Sequence, residues 1–330
     1  MFESIVPGLY ILFTILVFPG LLFITVLALF TQWWMRKTSA RMQRRMGPKY
    51  VGPIGILQPL MDLWKLIHVK ELARTKHSMP LLAELFGLSG IAAMITVLTM
   101  LPLSPIRFTA HHDFLVFIYF CCIWIPLAQI IMSLSMPGPY TSIGVSRLLS
   151  FITVSEPAFY SAILVPVALT SKYGLPYNIY TAATNSWRLW INPYTLPLMI
   201  LVLIALVVNL QAKAMFQPFN IPEAEQEIIA GYETEFSGPI LGLAQLLHDM
   251  DTALAAIIIT YLVLGGPYPF PHLSIPGIIL VIVKYLAVIT TATIIKNVFG
   301  RFRVEQALYT IFKYSLVPAL IAAVLTMIYL

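Results

Sequence analysis

Between Pro218 and Gly238 the chain reads PFNIPEAEQEIIAGYETEFSG, and five of its 14 acidic residues fall there: Glu223, Glu225, Glu227, Glu233 and Glu235. On either side the sequence is almost free of charge, over about 194–216 before it and 241–264 after it. Runs of roughly 20 apolar residues are what a membrane-spanning helix needs. The acid-rich stretch therefore reads as a connection between two spans. Glu223 and Glu227 are four apart and share a helical face, where like charges repel. Such a group persists if it faces water or cations, or if some members hold protons. Crowding several carboxylates raises the pKa of one of them, which makes it a proton carrier. A solvated loop is the simpler reading. Against it, IPEAEQEIIAGY interleaves acids with Ile and Ala, as a half-buried amphipathic turn would. Ser237 is a possible N-cap for the helix that follows.

Working outward, six further runs meet the same length: about 5–30, 79–102, 114–136, 147–170, 274–297 and 305–330. Hydrophobic residues make up 59% of the 330-residue chain and charged residues 10%, far from the quarter charged of soluble domains. Mean hydropathy is +0.86. Helices satisfy the backbone where no water is available. The fold class expected is an all-α membrane protein with eight transmembrane helices in a single integral domain, residues 1–330. The N-terminus lacks a basic leader and a cleavage pattern, so it reads as a retained first span.

Charge sets the orientation. Arg36, Lys37, Arg41, Arg44, Arg45, Lys49, Lys65, Lys70, Arg74 and Lys76 put 10 of the 20 basic residues in the first connection. Arg147, Lys213, Lys296, Arg301 and Arg303 fall in connections on that same side, and only Arg107, Lys172 and Arg188 on the other. The bias makes this the cytoplasmic side and places both termini outside. The cytoplasmic segments expected are about 31–78 and 217–240. Within the first, Trp33 to Lys49 reads as a basic helix lying at the interface, and ILQPLMDLWKLI as a short amphipathic interfacial helix. Clustering in one connection gives no nucleic-acid-binding face.

Ionisable groups at membrane depth suggest a pathway or a site. Glu84, Glu156, Asp249, Asp251, Lys284 and Lys313 qualify, and His248 titrates near neutrality. Paired structural ions are the plainer reading, above all for Glu84 and Lys284. Pro157, after Glu156, can loosen its helix. Cys121 and Cys122 are adjacent inside an apolar run and read as inert packing or lipid-facing residues. No residue set reads as a metal, cluster or haem site, so no cofactor is expected on this chain.

Four ordered stretches carry a family likeness: Arg41–Glu71, RMQRRMGPKYVGPIGILQPLMDLWKLIHVKE; SRLLSFITVSEP, ending at Pro157; Pro218–Gly238; and RFRVEQAL, Arg301–Leu308. Together they resemble the NADH dehydrogenase subunit 1 family, which includes the membrane subunits of energy-converting [NiFe] hydrogenases and related complexes. Many members have Pro-Phe-Asp where this chain has Asn220. The phrase PEAEQE looks more like the hydrogenase side. The resemblance implies a subunit of an oxidoreductase with no catalytic centre of its own. It would dock a soluble arm and couple redox chemistry to H⁺ or Na⁺ movement through a carboxylate-lined channel. That channel would use Glu223, Glu225, Glu227, Glu233, Glu235 and Glu156. Asp249, Asp251, His248 and Glu84 are added from their depth in the apolar runs. Arg41, Arg44, Arg45, Lys65, Arg301 and Arg303 would meet the soluble arm. Iron–sulfur clusters and a [NiFe] centre would belong to partner subunits, beside antiporter-like membrane subunits and lipid in the cell membrane. A sulfane-sulfur reductase relative would look the same. The alternatives are the quinone-binding subunit of an NADH–quinone oxidoreductase and a stand-alone ion transporter. The transporter reading lacks an internal repeat.

Overall fold

A computed structural model describes residues 2–73, 75–104, 110–272 and 274–329, without the side chains of residues 2–7, 9 and 225. Every regular element among the described residues is helical. In chain order they are α1 (Phe2–Leu16), α2 (Leu21–Met42), α3 (Gln58–His68), α4 (Pro80–Met100), α5 (Phe114–Ile118), α6 (Ile125–Leu134) and α7 (Pro139–Thr170). There follow α8 (Ile179–Asn185), α9 (Trp187–Ile191), α10 (Leu196–Lys213), α11 (Glu225–Ile228), α12 (Gly238–Ile258), α13 (Ile275–Val298), α14 (Val304–Ile311) and α15 (Val317–Tyr329). Three π-helical turns, Tyr119–Trp124, Ile259–Val263 and Phe312–Leu316, join α5 to α6, extend α12 and join α14 to α15. Eight helical stretches are long and apolar enough to cross a membrane: Tyr10–Met42, Pro80–Met100, Phe114–Leu134, Pro139–Tyr173, Leu196–Lys213, Gly238–Val263, Ile275–Val298 and Val304–Tyr329. The chain is a multi-pass membrane protein.

Proline marks the entries. Pro80, Pro139, Pro197, Pro239 and Pro276 each stand in the first turn of a helix, where a missing N–H leaves no intrahelical bond unmade. Pro157 and Pro166 lie inside α7, which runs through them without a break. Asn209 of α10 donates to the Ser155 carbonyl at 2.7 Å, beside Pro157.

The first span differs from expectation. It bends at residues 17–20 between α1 and α2. The basic stretch from Trp33 does not start a separate interfacial helix, because α2 runs unbroken to Met42. Its polar side chains meet protein: Thr31 shares a 2.5 Å hydrogen bond with Tyr285, and Trp34 Nε1 donates to Thr290 Oγ1 at 3.0 Å. Both partners are on α13. The amphipathic helix does form, as α3, which buries Pro59 and Leu66. It lies against α12 at Gly242, where an added Cβ would sit 3.1 Å from the Leu66 Cβ.

Helix α12 is the axis of the bundle. In its most apolar stretch 83% of the residues are buried, against 22% in α13. Helices α2, α3, α4, α10 and α13 all pack on it. One end of the bundle is tied together by the connections. Phe302 N donates to the Pro218 carbonyl at 3.0 Å, and Gln43 Nε2 to Asn297 Oδ1 at 3.0 Å. Ser237 stands at the N-cap of α12, yet its hydroxyl caps nothing there and accepts instead from Ala73 N at 2.8 Å. Around Gly231 and Tyr232 the acid-rich connection is folded onto α7, while Gln226, Glu227 and Ile229 stay exposed. A Cβ on Gly144 would lie 2.3 Å from the Tyr232 nitrogen, and one on Gly231 would lie 1.7 Å from the Pro222 carbonyl oxygen. Gly231 also has φ +58°, a backbone that favours glycine.

Candidate functional site

The charged residues assemble in three tiers from this end inward. Outermost is Glu227. Its Oε2 accepts from Arg147 at 2.6 Å and its Oε1 from Arg301, so two arginines from α7 and the α14 approach clamp one carboxylate. The Arg147 hydrogen bond, with the Arg301 charge, holds this carboxyl below its usual range. The clamp borders an open pocket of about 410 Å³ that Arg303 and Glu305 also line. Arg41, Arg44, Arg45, Lys65, Arg301 and Arg303 are all exposed at this end. Arg147 is part of α7, not of a connection.

The middle tier is built on Tyr232. Its hydroxyl donates to Glu223 Oε1 at 2.9 Å. Burial and the neighbouring Glu223 and Glu233 carboxyls push the phenol up. Glu233 keeps part of its surface open but is packed round by protein. Burial, then the charges of Glu223 and Asp249, raise its carboxyl to about 8. A carboxylic acid that titrates there exchanges protons near neutral pH. Asp249 lies within electrostatic range of His248, Arg36, Lys296 and Glu223. This tier thus extends between α12, α2 and α13.

The innermost tier is a buried triad. Lys213 Nζ, at the last turn of α10, lies 2.9 Å from Glu156 Oε1 of α7 and 3.6 Å from Asp251 Oδ1 of α12. Side-chain exposure is 2% for the lysine, 8% for Glu156 and 6% for Asp251. One ammonium faces two carboxylates, so with both acids ionised the group carries one uncompensated negative charge. Among the described residues, Glu156 Oε2 and Asp251 Oδ1 have no hydrogen-bond partner. The Cys122 thiol interacts with Glu156 from the π turn. The cysteine pair thus packs on the triad and does not face lipid.

The sequence groups His248, Asp249 and Asp251 as neighbours. The structure separates the two aspartates, because two residues turn a helix by about 200°. Asp249 looks toward Arg36 and Lys296, and Asp251 toward Lys213. His248 is in electrostatic range of both. Glu235 packs on Gly138 at the start of α7 and makes no ion pair among the described residues. Glu84 is half-buried on α4 and makes no hydrogen bond or ion pair among the described residues. The backbone of Glu225 belongs to α11, and its side chain lies outside the described residues. Lys284 is structural: its ammonium donates to the carbonyls of Leu264 at 2.8 Å and Gly266 at 2.7 Å, closing the end of the α12 extension. Lys313 is exposed beside the Tyr309 and Tyr314 rings.

Lys213 is the residue the sequence misplaces. It ends an apolar run next to a connection, so hydropathy counts it as a solvated loop charge. The signal was the NLQAK spacing, which puts Asn209 and Lys213 one turn apart on one helix face. Both are buried. No three His, Cys, Asp or Glu side chains among the described residues converge as a metal ion needs.

Residues 14–327 match the family model described as NADH dehydrogenase. Among solved structures, the fold is similar to a chain of the archaeal membrane-bound sulfane sulfur reductase, a respiratory membrane complex. The TM-score is 0.73 and the identity 24%, with 92% of this chain and 96% of that one covered. The all-helical bundle and the family match agree: this chain belongs to the NADH dehydrogenase family and is a complex-I-like membrane subunit.

Proposed function

We propose that the chain is a non-redox subunit of a complex-I-like respiratory complex in the cell membrane, of the energy-converting hydrogenase or sulfane-reductase kind. It docks a soluble electron-transfer arm and couples that arm's chemistry to ion translocation. The single observation that carries this reading is the Lys213 ammonium, buried between Glu156 and Asp251. Water and fixed dipoles do not neutralise a buried group of net charge −1, so a proton or a cation must. Glu223, Glu233, Asp249 and His248 form the inward route. Glu225, Glu227 and Glu235 form its mouth, and Glu84 stands apart on α4. The exposed arginines and Lys65 at the same end support docking there, with that end cytoplasmic and both termini outside. Iron–sulfur and nickel–iron centres reside in partner subunits, and antiporter-like subunits continue the membrane arm.

The quinone-binding alternative needs an apolar tunnel near the docking end. The apolar pocket of about 390 Å³, lined by Phe18, Leu103, Tyr261 and Tyr285 among others, lies in the opposite half of the bundle. That placement favours the non-quinone reading. A stand-alone transporter would purify alone, whereas the present reading requires co-purifying subunits with cluster-binding cysteines.

The experiment is Glu156→Gln in the assembled complex, in membrane vesicles driven by reduced ferredoxin. Assembly is expected to survive and ions moved per electron to fall toward zero. Wild-type pumping in the variant would refute the coupling role.

A further inference from the structure

Between the middle tier and the buried triad lie two small cavities, and one side chain separates them. The inner cavity, about 20 Å³, is bounded by Glu156, Lys213, Asp251, Ser155 and Gln129. The outer one, about 10 Å³, is bounded by Tyr232, Met132, Phe236, Leu247, Ala244 and Gln129. Gln129 alone lines both. It stands on α6 and is 8% exposed. Its backbone carbonyl accepts from Ser133 Oγ at 2.9 Å, but its carboxamide makes no hydrogen bond among the described residues. A carboxamide inside a protein meets its donor and acceptor needs with protein groups or with ordered water. Here it borders two cavities whose other walls include the acids on one side and the phenol on the other.

Volume distinguishes the two cavities. A water molecule needs at least about 10–15 Å³ of such space. The inner cavity admits one water, held by the triad and the amide. The outer cavity is at the lower limit and is walled mostly by Met132, Phe236, Ala244 and Leu247. These apolar walls form a collar between Tyr232 and the Gln129 amide.

Resting on the coupling reading above, we propose that Gln129 is the gate residue of the proton route. Its carboxamide orients waters that join the Glu223–Tyr232–Glu233 group to the triad, and the Met132–Phe236–Leu247 collar keeps that junction closed between turnovers. When the acid-rich connection shifts, the collar widens past the size of a water. A proton then leaves the protonated Glu233 carboxyl and passes along the waters beside Gln129. It ends on the Glu156 carboxylate, leaving Glu233 ionised and Glu156 neutral. The amide nitrogen donates to one water and its oxygen accepts from the next, so Gln129 itself gains and loses no proton. A purely structural glutamine would need only its volume, whereas this role needs both the donor and the acceptor.

The test compares Gln129→Leu, Gln129→Glu, Phe236→Ala and Glu156→Gln in the intact complex, in vesicles driven by reduced ferredoxin, with a pH-sensitive dye reporting protons moved per electron. Gln129→Leu, close in volume, is expected to lower that ratio at least about tenfold, as loss of a bridging hydrogen bond in a transfer step would. Gln129→Glu keeps a polar relay and is expected to restore most of it. Phe236→Ala opens the collar and is expected to give proton leak without turnover. If Glu156→Gln stops pumping while Gln129→Leu pumps normally, the gate is wrong and the coupling reading stands. If neither variant affects pumping, both are wrong. Equal loss in Gln129→Leu and Gln129→Glu, with normal assembly, would make the residue structural and overturn the proposal. A tight Phe236→Ala variant would overturn the collar.

Discussion

The described residues hold two ion triads of opposite stoichiometry, and their surroundings are opposite too. At the rim two arginines clamp Glu227, whose side chain is 47% exposed. In the bundle one lysine holds Glu156 and Asp251, all of them buried. Water and salt screen the rim, so its net positive charge is affordable and permanent. Little water screens the interior group, so a proton or a cation must neutralise its excess charge. Like contacts thus serve unlike ends. The outer triad ties the acid-rich connection to α7 and the α14 approach, and in the coupling proposed above the inner one is the element that responds.

The largest effect is expected at the inner lysine. Lys213→Met leaves two buried carboxylates facing each other without a cation, which costs about 3–5 kcal/mol. Thermal unfolding of the complex should show the loss, and adding Glu156→Gln and Asp251→Asn should recover part of it. A Lys213→Met complex as stable as the wild type would break the contrast between the tiers.

The middle tier sharpens it through pH. The Glu233 carboxyl titrates at about 8 in the folded chain, against 4.5 for a free side chain. The folded form therefore binds more protons than the unfolded form between those values. Stability contributed by the protonated group is present below the unfolded value and lost as pH rises toward 8. Hydrogen-exchange protection in the 217–240 connection, taken relative to the intrinsic exchange rate at each pH, should fall over that window, and Glu233→Gln should flatten the trend. A connection equally protected at pH 5 and pH 8 in the wild type would contradict the burial of this acid.

The smallest effect belongs to the rim. Arg301→Gln should cost only about 0.2–1 kcal/mol, and the difference should shrink as salt is raised. Proteolysis of the acid-rich connection at two ionic strengths would measure it. A large, salt-independent loss would mean that the rim behaves like the interior.

What the sequence disclosed followed from physics it carries openly. Apolar runs of spanning length, proline at their entries and the amphipathic ILQPLMDLWKLI turn gave the helices. Glu156 and Asp251 were visible because a carboxylate inside an apolar run has few innocent explanations. Lys213 was hidden because its position at the end of a run is ambiguous between interior and water, and only tertiary packing decides. Trp33 to Lys49 read as interfacial because its basic residues suggested the membrane surface, whereas Trp34 and Ser39 meet α13. Gln129, a neutral amide in LAQII, carries no charge signal at all. Its place is set by which helix faces meet.

The most direct test of the central statement is the infrared difference spectrum between the oxidised and reduced complex. The account requires a protonated-carboxyl band that appears on reduction and is removed by Glu156→Gln or by Asp251→Asn. A band that persists unchanged in both variants, with the complex intact, would contradict it.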